Sequence, residues 1–492
     1  MNTHQPSPSA ASVRTANPAG PNVIFCNTFN RLTAIALRFG AEPYQFCQAK
    51  RRFLAVFRTF ALPIVALFAV PAAAQLAPAE RRMAATVDAE YERSVALLGR
   101  LVDQNSGTMN FAGVKAVADM MRAELEPLGF AVVWTPDIAG RAGHLVATRK
   151  GPSTGSGSGT KRLLLIAHLD TVFEKDSPFQ KFVRRGEEAE GPGAGDDKGG
   201  MVVMLAALRA MQAAGTLNGA NIEIHMTGDE EDAGDPVETA REMLVAAGKR
   251  SDVALDFEGL SIEDGKDMGS IARRSSNSWK LTATGKTGHS SLIFNPVYGD
   301  GAVNELARII ARFRAELPEP NLTFNVGLIA GGQEAALDAD GVRASAKGKT
   351  NIIPAIAIAR GDFRTLSEEQ SARVRDKMKA IVAAHAPGTS AEIVFDPGSY
   401  PAMAPTDGNR ALLAKLNIVN RDLGLAEQPP LDPLKRGAGD ISFVAKDLPG
   451  LVGLGAASRG DHAPGETVYL DSIKRQAKRA AILMTRLSRE KR

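Results

Sequence analysis

The sequence of 492 residues predicts a three-layer α/β domain with a mixed, largely parallel sheet, and a ferredoxin-like α+β domain inserted within it. Two observations support this fold class. Apolar runs of strand length alternate with helical patterns in the first half of the chain, which is typical of βαβ units and a parallel sheet. Between residues 270 and 400 the predicted order changes to β-α-β-β-α-β, the order of a ferredoxin-like domain with one solvent-facing sheet surface.

The first 74 residues differ in charge from the rest of the chain. They hold seven basic residues and one acidic residue, whereas the remaining residues carry 52 basic and 54 acidic side chains. The main body therefore has no basic excess, and we expect no nucleic-acid partner. The only cysteines, Cys26 and Cys47, also lie in this first segment. Thiolate metal ligands and a structural disulfide are thus excluded from the main body.

Residues 50–74 contain the three parts of a secretory signal peptide. An apolar stretch follows the basic run Lys50-Arg51-Arg52, and small residues end the segment at Ala74. The apolar stretch is too short to favour a membrane span. We expect residues 1–49 to be a disordered extension, cleavage to follow Ala74, and the protein to be exported, either periplasmic or secreted. An uncleaved amphipathic anchor is the alternative.

Hydrophobic spacing predicts the elements of the α/β domain in order. They are a helix over 80–101, a helix over 113–128, strands over 131–134 and 145–147, a buried strand over 163–167, a helix over 201–214, a strand over 221–226, a helix over 236–247 and a strand over 252–258. The Gly- and Ser-rich residues 151–160 predict a flexible loop between two of these strands.

Residues 270–400 predict the inserted domain. Its elements are a strand over 278–284, a helix over 302–317, strands over 322–328 and 355–363, a helix over 368–384 and a strand over 391–395. The α/β pattern resumes after residue 409, with an apolar run over 451–454 and a closing helix from 471. The first domain is therefore predicted to comprise residues 75–269 and 401–492.

One buried strand leads directly into two polar residues. Five apolar residues precede His168-Leu169-Asp170, and such a continuous run indicates a strand buried on both faces. Side chains alternate along a strand, so His168 and Asp170 are expected on the same face. The carboxyl end of a buried strand is where open α/β sheets place their sites. Taken alone, the pair is equally compatible with a core histidine beside an acid.

Acidic and histidine side chains recur at the ends of four successive predicted units. They are His168, Asp170, Asp196, Asp197, Asp229, Glu230, Glu231, Glu258 and His462. Carboxylates that converge on one crevice repel each other unless a cation neutralises them. Without cysteine, a nitrogen and oxygen ligand set favours Zn²⁺, with Mn²⁺ or Co²⁺ as alternatives. The Gly-rich stretch 191–200 is not a phosphate loop, because Lys198 is followed by Gly199 instead of Ser or Thr.

Five motifs follow one another along the chain. They are His168-Leu169-Asp170, Gly193-Ala194-Gly195-Asp196-Asp197-Lys198-Gly199, Asp229-Glu230-Glu231, Phe257-Glu258-Gly259 and Asp461-His462. In order and spacing they resemble the M20 family of di-zinc metallopeptidases, above all its glutamate carboxypeptidase branch. Asn351-Ile352-Ile353-Pro354 and Gly361-Asp362-Phe363-Arg364 are similar to that family's inserted domain.

This resemblance implies two Zn²⁺ per subunit. The implied ligands are His168 and Glu258 for one ion, Glu231 and His462 for the other, and Asp196 for both. The resemblance also implies a cis peptide bond between Asp196 and Asp197. It assigns Asp170 to a hydrogen bond with the far ring nitrogen of His168, and it makes Glu230 the general base.

The inserted domain, residues 270–400, is implied to be a lid and the surface of a homodimer. His289 is implied to help stabilise an oxyanion, in dimers at the partner's active site; a surface histidine is the alternative. Arg364 and Asn351 are implied to hold a substrate carboxylate, and for Arg364 a strand-edge salt bridge is the alternative. Residues 437–440, Gly-Ala-Gly-Asp, depart from the family's usual Gly-Gly-Thr/Ser-Asp.

The leading hypothesis is a carboxypeptidase-type exopeptidase. It would hydrolyse the amide bond next to the C-terminal amino acid of a small peptide or N-acyl substrate, with a metal-bridging water and Glu230 as general base. An N-acyl-amino-acid amidohydrolase with the same centre is the alternative. A non-catalytic relative that only binds metal or peptide is disfavoured, because the implied ligands and Glu230 are all present.

Overall fold

The structure is a computed structural model that describes residues 76–151 and 159–492. The predicted extension over 1–49, the predicted signal peptide over 50–74 and most of the Gly- and Ser-rich loop lie outside these residues. Within the described ranges, no helix combines the length and the apolar content that crossing a membrane requires.

The described residues form nine α-helices and eighteen strands. The helices are α1 Pro78–Ala89, α2 Tyr91–Asp103, α3 Phe111–Leu125, α4 Lys198–Ala213, α5 Val237–Arg250, α6 Ala302–Glu316, α7 Glu368–Ala383, α8 Asp407–Asp422 and α9 Leu470–Leu487. The strands are β1 Ala131–Ile138, β2 Arg141–Arg149, β3 Arg162–His168, β4 Val183–Arg185, β5 Glu188–Glu190, β6 Asn221–Thr227, β7 Val253–Asp256, β8 Ile262–Glu263, β9 Lys266–Asp267, β10 Asn277–Gly285, β11 Thr323–Gly332, β12 Glu334–Leu337, β13 Ala344–Lys347, β14 Ile356–Arg364, β15 Thr389–Phe395, β16 Gly450–Leu451, β17 Ser458–Arg459 and β18 Thr467–Tyr469.

Six strands form the large sheet, in the order β1-β2-β6-β3-β7-β16. The pairs β1 with β2 and β2 with β6 are antiparallel. The pairs from β6 through β3 and β7 to β16 are parallel. The predicted mixed, largely parallel sheet is thus confirmed, and the strand that precedes His168 lies within its parallel part.

The sheet is the middle layer of three. Alternate residues of β3 enter two different hydrophobic cores, because successive side chains point to opposite faces. Leu163 and Leu165 pack into the core shared with α4 and α9, whereas Leu164 and Ile166 pack into the core shared with α5. Burial on both faces explains why the sequence of this strand is continuously apolar instead of alternating.

The inserted domain has its own sheet and core. Its strands run in the order β11-β14-β10-β15, and every neighbouring pair is antiparallel. Together with α6 and α7 they form the predicted ferredoxin-like arrangement, with a core built around Trp279 and Phe313. The outer face is open, since Ile329 and Val394 are 56% and 44% exposed.

Some elements differ from the sequence-based predictions. The single helix expected over 80–101 is two helices, α1 and α2, interrupted at Glu90, where no Gly or Pro marks a break. The hairpin of β12 and β13 and the small sheet β17-β18-β5-β4 were not predicted. Strands of two to four residues are too short to establish a periodicity, so sequence spacing does not detect them.

Two antiparallel segments connect the inserted domain to the large one. Arg273 pairs with Met403, and Ser276 pairs with Tyr400, through backbone hydrogen bonds of 2.9–3.0 Å. We refer to residues 273–276 and 400–403 as the connecting ribbon. The ribbon matters for the site because three of its residues, Arg273, Ser276 and Tyr400, line the cavity described next.

Candidate active site

A cavity of about 480 Å³ lies between the carboxyl edge of the large sheet and the inserted domain. Asp196, Glu231 and His462 line one side, and Arg364, from the end of β14, also contributes to its wall. We call this space the acidic crevice. Parallel strands bring their carboxyl ends to one edge, which is why residues distant in sequence meet there.

His168 is the last residue of β3 and is 2% exposed. Its Nε2 atom lies 2.9 Å from Asp196 Oδ1. Its Nδ1 atom lies 3.1 Å from the carbonyl oxygen of Asp170 and 3.4 Å from that residue's Oδ1. The backbone carbonyl oxygen and the carboxylate of Asp170 therefore both lie close to His168 Nδ1.

Asp196 lies between the two histidines. Its Oδ2 atom is 3.0 Å from His462 Nε2, and this nitrogen is 3.3 Å from Glu231 Oε2. The peptide bond between Asp196 and Asp197 is cis, as the family resemblance implies. The structure thus brings together four of the five implied metal ligands through direct side-chain contacts.

Two sets of side chains each converge closely enough to hold a cation. The first is His168, Asp196 and Glu231, and the second is His168, Glu230 and Glu258, with one ligand atom from each residue within 4.8 Å of the others. Within the described residues, Glu231 Oε1 is buried without a hydrogen-bond partner. Burial and the nearby Asp196 raise the pKa of Glu231 to about 10. An orphaned carboxylate oxygen among nitrogen and oxygen donors fits a divalent cation.

Asp170 fixes the turn that carries the two adjacent glutamates. Its Oδ1 accepts the Glu230 N–H at 3.0 Å, and its Oδ2 accepts the Glu231 N–H at 3.1 Å. Thr108 donates its hydroxyl to the same Oδ2 at 2.7 Å. Burial alone would raise the pKa of Asp170, but the bonds from His168, Thr108 and Glu230 hold it below its ordinary value.

Glu230 lines the acidic crevice and is half-buried there. Burial, followed by the negative charge of Glu258, raises the pKa of Glu230 well above its ordinary value. A raised pKa makes this carboxylate a better proton acceptor than an ordinary glutamate, which is the direction that a general base requires.

Glu258 has two arginine neighbours. Arg273 Nη1 lies 2.8 Å from Glu258 Oε1, and Arg436 Nη2 lies 3.6 Å from Glu258 Oε2. Arg273 also donates to the carbonyl oxygens of Gly437 and Ala438. Sequence reasoning missed both arginines, because neither belongs to a motif and each is distant from Glu258 in the chain.

A second buried cation stabilises the region beneath Glu230. Arg241 is 0% exposed and donates at 2.7 Å to both Asp229 and Asp440. It also donates to the Tyr400 hydroxyl at 2.6 Å, and that hydroxyl donates to the Glu230 carbonyl oxygen at 3.0 Å. This is a correction to the sequence-based grouping: Asp229 is a buried ion-pair partner and does not line the crevice.

The three predicted site residues of the inserted domain lie in two different places. Arg364 lines the acidic crevice, whereas His289 and Asn351 are exposed and lie next to each other, with the Ser290 N–H bonded to the Asn351 carbonyl oxygen at 2.9 Å. Asn351 lies before the first residue of β14 and Arg364 ends it, and the two ends of this nine-residue strand are about 26 Å apart at about 3.3 Å per residue. Within one subunit, Asn351 and Arg364 therefore do not meet.

Histidine and carboxylate side chains at the carboxyl ends of parallel strands, beside a connected inserted domain, are typical of metal-dependent hydrolases of the α/β class. The particular family follows from the sequence. The model of peptidase family M20/M25/M40 matches residues 164–486, and the chain belongs to this family.

Individual relatives are similar over most of the chain. Carboxypeptidase G2 from Pseudomonas sp. (strain RS-16) is 27% identical over 407 residues, which cover 80% of this chain and 89% of that protein. A succinyl-diaminopimelate desuccinylase from Novosphingobium aromaticivorans is 28% identical, over 77% of this chain and 94% of that protein. A solved M20 family metallo-carboxypeptidase from Sulfolobus solfataricus has a TM-score of 0.60 at 16% identity, over 80% and 99% of the two chains. These comparisons confirm the predicted family, fold class and hydrolase activity.

Replacing Arg241 by methionine is predicted to lower the free energy of unfolding by about 3–5 kcal/mol, because two buried carboxylates lose their cation. Denaturant midpoints measure this loss. The matched control is Arg421→Met, which breaks an ion pair whose side chains are 54% and 53% exposed and is expected to cost less than about 1 kcal/mol. Equal midpoints for Arg241→Met and the unmodified protein would contradict the prediction.

Proposed function

We propose that the protein is a zinc-dependent exopeptidase of the carboxypeptidase type, which hydrolyses the amide bond next to a C-terminal amino acid of a small peptide or N-acyl substrate. The observation that carries this proposal is the position of Asp196, in contact with both His168 and His462, in a crevice that also contains Glu230 and Arg364. The similarity to carboxypeptidase G2 supports it.

We propose His168 and Glu258 as ligands of one zinc ion and Glu231 and His462 as ligands of the other. Asp196 is proposed as a ligand of both. When bound, such ions supply Lewis acidity to the amide carbonyl and lower the pKa of a water molecule towards neutrality. Mn²⁺ and Co²⁺ suit the same nitrogen and oxygen donors. His168 is held in place for this role by Asp170, which fixes which ring nitrogen faces Asp196.

Glu230 is the proposed general base. It takes a proton from the attacking water and delivers it to the leaving amine. The protein holds both ends of this residue's backbone, since Asp170 accepts its N–H and Tyr400 donates to its carbonyl oxygen. Glu231, whose N–H is held by the same Asp170, instead turns its Oε2 to His462. Adjacent glutamates can therefore perform different tasks.

Arg364 is the proposed anchor for the substrate's C-terminal carboxylate. Its guanidinium lines the crevice, and its side chain is 35% exposed with one contact of 3.3 Å to Asp362. A planar guanidinium fork suits a carboxylate, which it can bind through two parallel hydrogen bonds. The leaving amino acid would then lie on the side of the inserted domain.

We also propose a homodimer formed through residues 270–400. His289 and Asn351 are exposed and lie apart from Arg364 in one subunit, so a second copy offers them a route to an active site. Export through a signal peptide over 50–74 is likewise a proposal, supported by the order of basic, apolar and small residues there.

An N-acyl-amino-acid amidohydrolase is the second candidate function. The similarity to a succinyl-diaminopimelate desuccinylase supports it, and the same centre would perform the reaction. The two candidates differ only in the acyl side of the substrate. A hydrolysis screen of C-terminal peptides and N-acyl amino acids, with release of the free amino acid as the readout, separates them.

Replacing Glu230 by glutamine is predicted to lower kcat by about 10²–10⁴-fold, because the amide cannot accept the proton. Bound metal, measured by elemental analysis, should be unchanged. Glu238→Gln, an exposed substitution in the next helix, serves as the control and should keep full activity. A Glu230→Gln enzyme with more than a tenth of the original kcat would remove Glu230 from this role.

Removing bound metal with a strong chelator is predicted to abolish hydrolysis, and adding Zn²⁺ back should restore it. The physical reason is that histidine and carboxylate side chains alone can neither polarise the amide carbonyl nor lower the pKa of water as a divalent cation does. Elemental analysis before and after chelation measures the loss. Full activity in a protein shown to be free of metal would refute the proposed chemistry.

Replacing Arg364 by glutamine is predicted to reduce kcat/KM by about 10–100-fold for substrates with a free C-terminal carboxylate, the effect of losing a charge-assisted hydrogen bond. For the corresponding C-terminal amides the reduction should be smaller than threefold. Arg360→Gln, which alters an ion pair on the same strand, is the control. Equal losses on both substrate types would reject the carboxylate-anchor role.

A further inference from the structure

A second cavity of about 610 Å³ adjoins the acidic crevice. Leu260 and Ser261, which follow β7, line it together with Tyr469 and Arg475 from the C-terminal part of the chain. We call it the outer cavity. Lys435, Arg436 and Asp461 line both spaces, so the two cavities share one wall.

The outer cavity lies away from the proposed carboxylate anchor. Arg364 lines the acidic crevice but not the outer cavity. If Arg364 holds the leaving amino acid, the acyl part of the substrate extends from the scissile bond in the other direction. Lys435, Arg436 and Asp461 border the crevice on the side of His462, and the outer cavity lies against the same three residues.

Three of the four cations that line the outer cavity already have acidic partners within 3 Å. The pairs are Lys435 with Glu263, Arg459 with Glu188, and Arg475 with Asp267. These side chains therefore offer little uncompensated charge to a ligand.

Arg436 is the exception. It donates to the Gly259 carbonyl oxygen at 2.7 Å and to Ser261 Oγ at 3.4 Å, and both acceptors are neutral. The acid that pairs with it, Glu258, is 3.6 Å away and is already paired with Arg273 at 2.8 Å, and the charge of Asp196, another proposed metal ligand, also acts on Arg436. Its Nε atom is buried, with no hydrogen-bond partner in the described ranges of the chain. Among the described residues, Asp461 of the shared wall forms no ion pair with Arg436 within 4.0 Å, although it lies close enough for the Arg436 charge to lower its pKa.

We infer that the outer cavity is the subsite for the acyl part of the substrate, and that Arg436 selects acyl groups that carry a carboxylate. This rests on the proposed function. The ligand chemistry is an anionic end on the acyl side of the scissile amide, found in dicarboxylic acyl groups and in peptides with an acidic residue at that position. A guanidinium with a free Nε–H suits such a carboxylate.

The test uses matched substrates that share one leaving amino acid. One pair is the N-succinyl amino acid and its neutral N-succinamoyl counterpart, and the other is the Asp-containing dipeptide and its Asn counterpart. The readout is the ratio of kcat/KM for the anionic substrate to that for the neutral one. Because both rates come from the same enzyme sample, the ratio cancels any change in metal loading or folded fraction.

The unmodified full-length enzyme is expected to favour the anionic member by at least tenfold in one or both pairs. Arg436→Gln should reduce this ratio at least tenfold, while Arg436→Lys, which keeps the charge, retains a clear preference. Lys435→Gln is the control, since its cation is already paired, and it should change the ratio less than threefold. If Arg436→Gln lowers the ratio of the succinyl pair, the selected carboxylate belongs to a dicarboxylic acyl group. If it lowers the ratio of the Asp and Asn dipeptides, the carboxylate belongs to an acidic residue.

A second variant tests the subsite without changing Arg436. Ile262 lines the outer cavity and is 41% exposed, so Ile262→Trp fills part of the space. It should slow hydrolysis of succinyl or dipeptide substrates at least fivefold relative to the N-formyl amino acid, whose acyl group does not reach the outer cavity.

The outcomes separate this inference from the proposed function. If the unmodified enzyme hydrolyses none of these substrates, the proposed function fails. If it hydrolyses them but shows no anionic preference, or if Arg436→Gln slows the anionic and neutral members equally, the proposed function stands and the subsite assignment is overturned.

Discussion

The site depends on one buried carboxylate, that of Asp170. It lies just beyond β3 and accepts backbone N–H groups from the turn beyond β6, so it joins the ends of two neighbouring parallel strands. The same residue meets the Nδ1 atom of His168. Because donors from three segments converge on a fully buried side chain, its charged form is stabilised and its orientation is fixed. Asp170 therefore fixes the positions of Glu230, Glu231 and His168.

The connection to the inserted domain is physically part of this arrangement. The connecting ribbon supplies Arg273, which contacts Glu258, and Tyr400, which donates to the Glu230 carbonyl oxygen. A change in the ribbon's path would therefore alter contacts at both glutamates. The inserted domain is thus coupled to the acidic crevice through hydrogen bonds, besides contributing Arg364 to its wall.

The sequence predicted the parts of the site that depend on local pattern. His168 follows a continuous apolar run, and Glu230 and Glu231 follow another strand, so parallel topology alone brings them to one edge. The sequence did not reveal the roles of Arg241 and Arg436, because their hydrogen-bond partners lie 12 to 199 residues away in the chain. Asp229 was grouped with the crevice acids for the same reason: a polar residue after a strand does not reveal its buried cation. Asn351 and Arg364 matched family positions, but the length of β14 keeps them apart.

The carboxylates of this region form two groups, those that are paired with an arginine and those that are paired with histidines. Asp229 and Asp440 share Arg241, and Glu258 is paired with Arg273. Among the residues that the structure describes, Asp196 and Glu231 have ion pairs with histidines only, and one oxygen of Glu231 has no hydrogen-bond partner. Burying charge without a partner is costly, so an external cation stabilises this second group most. A metal ion at Glu258 would share the carboxylate with a guanidinium, whereas no arginine of the described part of the chain is paired with Glu231. The two proposed metal positions are therefore electrostatically unequal.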